Sequence, residues 1–389
     1  MNNPLQDGMS EVTRLMSEGR LSEATALIQR TLGGGFTLPT SAGNASDPME
    51  TIFRIVDETA RPATQPWNEP GVHTLRPPER AKTPRQFRGT PPYSPGAPNV
   101  DRPDVAAEPG QFVERTHTNK AGTRSYKLYI PSGYTGQEVP LVVMLHGCTQ
   151  NPDDFATGTR MNALAEEHTF LVAYPAQTGN ANMQKCWNWF QAADQQRGRG
   201  EPSIIAGITC EIVGEYHVAL DRVYVAGMSA GGAMAATVGE AYPEIYAAVG
   251  VHSGLAPGAA TDMSSAFTAM RNGMHAGKGD NAVPTIVFHG DRDTTVNPRN
   301  GEHLISHGLK NTPDAQAAKT QGQVSGGHSY THAVYEDSDG HAVAEHWTVH
   351  GLGHAWSGGG SRGSYTDPKG PDASAEMMRF FDQHPRQTD

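Results

Sequence analysis

The stretch "VAGMSAGGAM", residues 225–234, sets one serine, Ser229, with a glycine two positions away on each side, directly after an apolar run. Small residues that close to a serine make either a loop that merely turns or a nucleophile held on a turn too sharp for larger side chains. The run "RVYVAGM" reads as a strand, and "GGAMAATVGEAY" reads as a helix. A strand, a sharp turn and a helix form the context that a G-x-S-x-G nucleophile elbow requires. The amide of Ala230, at the start of that helix, then points toward a developing oxyanion.

The surrounding texture agrees with that context. "RSYKLYI", "PLVVMLHG", "FLVAYP", "YAAVGVH", "PTIVFHG" and "AEHWTVHG" are short runs rich in Val, Ile, Tyr and Phe, with helical segments such as "MNALAEEH" and "IIAGITCEIVGEY" between them. Strands alternating with helices predict a mostly parallel sheet with helices on both faces, an α/β class whose ligands sit at the carboxyl ends of the strands. No internal repeat appears at a fixed period. Upstream, Val12, Leu15 and Met16, then Leu21, Ala24, Leu27, Ile28 and Leu32, recur at helical spacing, with Gly19 dividing them. This predicts a small helical hairpin over residues 1–35, with Ser22 capping its second helix and the glycines at 33–35 ending it. Fourteen of the 28 prolines fall between Pro39 and Pro109, so residues 36–110 read as an extended or disordered linker. The catalytic domain is expected over 111–389.

A serine hydroxyl is unreactive alone and needs a base within hydrogen-bond reach and an acid to orient that base. In this arrangement the chain order is serine, acid, histidine. "PTIVFHGDRDTTV" ends a strand and offers Asp291 and Asp293. Asp293 is the preferred acid because it lies deeper in the loop, with Val296 to anchor the turn. Asp291 sits closer to the strand, where it can instead cap backbone amides. "TVHGLGHAWSGG" then places His354 past the last strand among Gly351, Gly353 and Gly358, and His354 is the expected base. His346 and His350 lie inside or next to that strand, where packing or surface roles are the commoner use. The second oxyanion amide comes from the loop after an earlier strand, and in "PLVVMLHGCTQ" that amide belongs to Cys148.

Composition bounds the partners. The 389 residues carry 30 basic and 41 acidic side chains, a net charge of −11, which makes nucleic acid and anionic membrane surfaces poor partners. No uninterrupted apolar window reaches the roughly 18 residues of a membrane span. "MNNPLQDGMSEVTRL" shows no basic segment followed by an apolar one, so no cleavable secretion signal is visible. Cys148, Cys186 and Cys210 have no metal-ligand spacing, and the 17 histidines are not read as metal ligands. Neither a metal nor any other cofactor is expected, and oligomeric state stays open.

Taken together, "LHGCTQNPDDFATGTRMNALAEEHTFLVAYPAQ", "CWNWF", "GMSAGGAM", "FHGDRDTTV" and "GHAWSGG" resemble the polyhydroxybutyrate depolymerase family of α/β-hydrolase esterases, relatives of feruloyl and acetylxylan esterases. The resemblance runs from about residue 111 to 384. It implies Ser229 as nucleophile, Asp293 as acid, His354 as base, the amides of Cys148 and Ala230 as oxyanion donors, and Trp187 as a substrate-facing aromatic. It also implies an extracellular setting, against the cytoplasmic one that the absent signal suggests. "KCWNWF" crowds aromatic rings near the active edge, where they either line an apolar pocket or, for Trp189 and Phe190, join the core. Trp356, two residues past His354, is the expected opposite wall. Cys186 either bridges to Cys148 and braces the oxyanion loop, or both thiols stay reduced. The reading is a serine esterase acting on poly- or oligo(3-hydroxyalkanoate). The alternatives are a feruloyl or acetylxylan esterase and, from another class, a non-catalytic protein that docks on polymer granules.

Overall fold

The computed structural model describes residues 109–274, 277 and 283–386. The hairpin expected over 1–35 and all but the last two residues of the linker expected over 36–110 lie outside the described residues. A ten-stranded sheet organises the rest. Its strands are β1 (Gln111–Asn119), β2 (Gly122–Ile130), β3 (Val139–Leu145), β4 (Leu171–Pro175), β5 (Val218–Met228), β6 (Ala248–His252), β7 (Thr285–Gly290), β8 (Gln316–Gln323), β9 (Ser329–Glu336) and β10 (Ala342–Val349). Seven α-helices accompany them among the described residues: α1 (Pro152–Thr159), α2 (Met161–His168), α3 (Gly200–Glu215), α4 (Ala230–Ala241), α5 (Met263–Asn272), α6 (Arg299–Gly308) and α7 (Ala373–Gln383).

The spatial order is β1-β2-β4-β3-β5-β6-β7-β10-β9-β8. The six central strands, β4 to β10 in that order, pair in parallel, and the two outer strands on each side pair antiparallel. A parallel strand covered on both faces must be apolar at every position, and "VPLVVML" of β3 and "AVGVH" of β6 are almost wholly buried. Val142, Met144, Tyr224, Ala226 and Met228 share one face with Phe155, Leu164, Met377 and Phe381 from α1, α2 and α7. The alternate residues of the same strands point the other way, to the face that α3 and α4 cover. At the outer edge, β8 reads "QAAKTQGQ" and is exposed along nearly its whole length. Its polar side chains and lysine blunt the edge against further strand pairing.

Strand order also locates the site. After β3 the chain moves to β4 on one side, then returns past β3 to β5 on the other, so the loops leaving β3 and β5 diverge and open a crevice. Leu145 lies opposite Gly227 in that pairing. The loop after β3 and the turn after β5 therefore start side by side.

Candidate active site

Ser229 directly follows β5 and caps α4 with φ 56° and ψ −121°, a conformation that residues other than glycine rarely adopt. Its amide donates to the carbonyl of His252 at 2.9 Å, tying the turn to the end of β6. A Cβ on Gly231 would collide with the carbonyls of Leu145 and His146, and one on Gly227 with the carbonyl of Gly231. Both glycines are therefore needed for close backbone approach, which sets the first turn of α4 against the loop that follows β3.

That loop runs directly beside the serine, since a Cβ on Gly147 would lie 3.5 Å from the Cβ of Ser229. Gln150 holds its shape: Oε1 accepts from the Gly147 amide at 2.9 Å, while Nε2 donates to Asp154 Oδ2 at 2.9 Å. Among the described residues neither the Cys148 nor the Ala230 amide has a hydrogen-bond acceptor. For Ala230 this follows from its place in the first turn of a helix, where amides have no intrahelical partner. Cys148 and Cys186 are joined by a disulfide, and the Thr149 amide donates to the Gln184 carbonyl at 2.6 Å, so the loop after β4 is sewn to the loop after β3.

The bridge closes a segment with a sequence separation of 38. Reduction should then destabilise the protein by about 4 kcal/mol in the chain-entropy picture and lower its melting temperature. Peptide mapping without reductant should recover the Cys148–Cys186 link, and finding both thiols free would reject it.

Asp293 follows β7 and His354 follows β10, and the parallel pairing of those strands sets Val349 opposite Gly290. His354 Nδ1 and Asp293 Oδ2 are 2.7 Å apart. The other carboxylate oxygen accepts from the amides of Thr295 and Val296, both at 2.9 Å. Burial acts to raise the pKa of this carboxyl, but hydrogen bonding from His289 and His354 and from the Val296 amide outweighs it and holds the group well below the ordinary carboxylate range. The acid is thus charged and its lone pairs are occupied, which fixes the imidazole of His354 with Nδ1–H toward Asp293. Asp291 takes a different place. Its Oδ2 meets His350 Nδ1 at 2.9 Å and its Oδ1 accepts from the Gly351 amide at 2.8 Å, so it stitches the acid loop to the histidine loop.

His252 has no part in the sequence reading above, yet it links the pieces. Its carbonyl holds Ser229, its Nε2 accepts from the Ser357 amide at 3.0 Å, and its ring stacks on Trp356 with centroids 5.1 Å apart. Nothing marks it in the sequence beyond its place at the end of an apolar strand, "AVGVH". Burial, reinforced by the nearby His289 and His354, pushes its pKa down to about 3. Burial likewise lowers His146 and His346 to about 4.

The sign for stability follows from these three. Each histidine stays neutral in the folded protein, whereas the unfolded chain takes up a proton below about pH 6.5, so stability is full above that pH and is lost as pH falls toward 4. Between pH 7 and pH 5 the expected loss is roughly 2 kcal/mol per histidine. Urea unfolding at the two pH values would show it, and equal midpoints would contradict the assignment.

The two tryptophans expected to face substrate are both buried in the structure. Trp356 is 1% exposed, meets Phe155 edge-on and donates from Nε1 to Ser374 Oγ at 3.1 Å, so its polar edge is satisfied within the core. Trp187 is fully buried beside the His146 ring, with centroids 5.8 Å apart. The backbone of the next residue, Asn188, is anchored by its amide on Glu201 at 2.7 Å. Trp187 thus packs against the loop after β3, and its Nε1 has no hydrogen-bond partner among the described residues. A separate turn gathers Asp337, Asp339 and His341, but the Asp337 carboxylate accepts from the amides of the other two and closes the β9–β10 hairpin.

A six-stranded parallel core with a G-x-S-x-G elbow, an acid loop after β7 and a histidine loop after β10 defines an α/β-hydrolase. Residues 124–326 match the family model described as Esterase PHB depolymerase, and the chain belongs to that family. Poly(3-hydroxyalkanoate) depolymerase C of Paucimonas lemoignei is 35% identical over 262 residues, which cover 62% of this chain and 60% of that relative's own length. Feruloyl esterase B of Neurospora crassa is 28% identical over 249 residues, covering 58% of this chain and 82% of the relative. Among solved structures, an acetyl xylan esterase from Aspergillus awamori superposes with a TM-score of 0.56 at 19% identity over 70% of this chain and 100% of that one, a likeness of fold. Among the described residues no helix is long and apolar enough to cross a membrane.

Proposed function

We propose that the chain is a serine esterase that cleaves esters of hydroxyalkanoate oligomers through an acyl-enzyme. The observation that carries this reading is the 2.7 Å bond between His354 Nδ1 and Asp293 Oδ2, in loops that leave parallel strands at the same end of the sheet as the strained Ser229 turn. His354 Nε2 takes the proton as Ser229 Oγ bonds to the acyl carbon. The carbonyl oxygen becomes an oxyanion between the Cys148 and Ala230 amides. When the tetrahedral intermediate collapses, the ester C–O bond breaks and the alcohol departs with the proton from His354. Water then enters by the same route: His354 accepts its proton as the water oxygen bonds to the acyl carbon, the Ser229 Oγ–carbon bond breaks as His354 returns the proton to Oγ, and the carboxylic acid leaves.

The hydroxyalkanoate class is supported by the family and by the depolymerase relative at 35% identity. A second reading, a feruloyl or acetylxylan esterase, is favoured by the relative named feruloyl esterase B. Comparing hydrolysis of a 3-hydroxybutyrate trimer, methyl ferulate and acetylated xylan by the purified protein separates them. Preference for the trimer is expected, and preference for either of the others would replace the first reading by the second.

A further inference from the structure

A single exposed apolar side chain is ordinary, but one carried on backbone in a sparsely populated conformation invites a functional explanation. Among the described residues the exposed large hydrophobics are Met183, Met263, Met274 and Tyr365. One of them meets Thr149 of the loop after β3 directly, and a second lies next in the chain to a residue that does. The Tyr365 hydroxyl lies 3.3 Å from Thr149 Oγ1, and Met183 precedes Gln184, whose carbonyl accepts the Thr149 amide at 2.6 Å. Thr149 Oγ1 in turn donates to the carbonyl of Cys148 at 2.6 Å.

Tyr365 is 48% exposed although its φ is 52°, in the left-handed region. The residues on either side over-determine that conformation. The Ser364 amide donates to Asp154 Oδ1 at 2.9 Å, the Tyr365 carbonyl accepts from the Trp356 amide at 2.7 Å, and Thr366 Oγ1 donates to the Gly360 carbonyl at 2.8 Å. The backbone that carries Tyr365 is thus fixed beside the loop after β3, and the exposed Met183 lies on the loop that the disulfide joins to it. A rigid aromatic face and a polarisable thioether suit a flexible, methyl-branched chain that must be gripped without shape-specific hydrogen bonds.

We infer that Tyr365 and Met183 form an apolar subsite, beside Thr149, for the part of an oligo(3-hydroxyalkanoate) chain that extends beyond the scissile ester; this rests on the esterase reading above. The test compares kcat/KM for a soluble 3-hydroxybutyrate trimer with that for p-nitrophenyl acetate, whose acyl group is too short to reach a second site. Tyr365→Ala is expected to lower the trimer-to-acetate ratio about tenfold, chiefly through KM of the trimer. Met183→Ala, on an independent loop, should lower it a few-fold. Tyr365→Phe keeps the ring and should hold the ratio within about twofold of the parent. An unchanged ratio in Tyr365→Ala overturns the subsite. So does an equal fall with both substrates, which would make Tyr365 a brace for Thr149 with no hold on substrate. The parent enzyme tests the substrate class separately: cleavage of the acetate without the trimer would sink the hydroxyalkanoate reading before any variant is compared.

Discussion

Ser229→Ala is expected to lower kcat for p-nitrophenyl butyrate by roughly 10⁶, the scale on which removing a triad nucleophile acts, while the melting temperature stays at or above that of the parent. The two halves of that expectation have separate causes. Activity falls because, in the proposed mechanism, Oγ is the atom that bonds to the acyl carbon. Stability survives because Ser229 is tied through its backbone: its amide to His252 and its carbonyl to Ala233, both at 2.9 Å. Its side chain makes no hydrogen bond with another described residue. Alanine keeps both backbone bonds and the Cβ that stands beside Gly147. Substantial residual turnover would move the chemistry to another residue, and a collapsed melting temperature would mean that the hydroxyl helps to hold the elbow.

The central strands were legible in the sequence for a physical reason. Burial on both faces of a parallel sheet leaves little room for polar residues, so β3, β6 and β7 stand out as runs that are apolar but for Thr285, His252 and His289. The elbow was legible because the approach of Gly231 to the Leu145 and His146 carbonyls admits only glycine. The edge strands carry no such mark. "QAAKTQGQ" of β8 lies open to solvent and pairs on one side only, so its composition is that of a loop. β9 begins at Ser329, inside a stretch that reads as glycine-rich coil, and its pairing with β10 supplies order that local sequence does not announce. For the tryptophans the limit was of another kind. Position next to the active edge could be inferred from chain order, but whether a ring faces out or in depends on partners distant in sequence. Trp356 finds Ser374 and Phe155, and Trp187 finds His146. Tyr365 went unnoticed because it sits between glycines, serines and threonine, where an isolated tyrosine has no periodicity to set it apart.

Asp293→Asn should lower kcat by about 10⁴, and Asp291→Asn by no more than roughly fivefold, although both replace an aspartate that faces a histidine from the same loop. The difference lies in burial and in which histidine is held. Asp293 is 6% exposed, and its Oδ1 is committed to two backbone amides. The replaced atom in the asparagine is therefore Oδ2, where an NH₂ donor would confront His354 Nδ1 at 2.7 Å. Two donors cannot share that contact, so the ring must move its proton to Nε2, the atom required to accept one from Ser229. The variant keeps its shape and holds the wrong tautomer. Asp291 and His350 are each more than a third exposed, so water screens their pairing. An asparagine there can still accept from the Gly351 amide and keep the two loops joined. Measuring kcat for both variants against the parent at neutral pH decides the matter: a larger loss at Asp291 than at Asp293 would reverse the assignment of the acid.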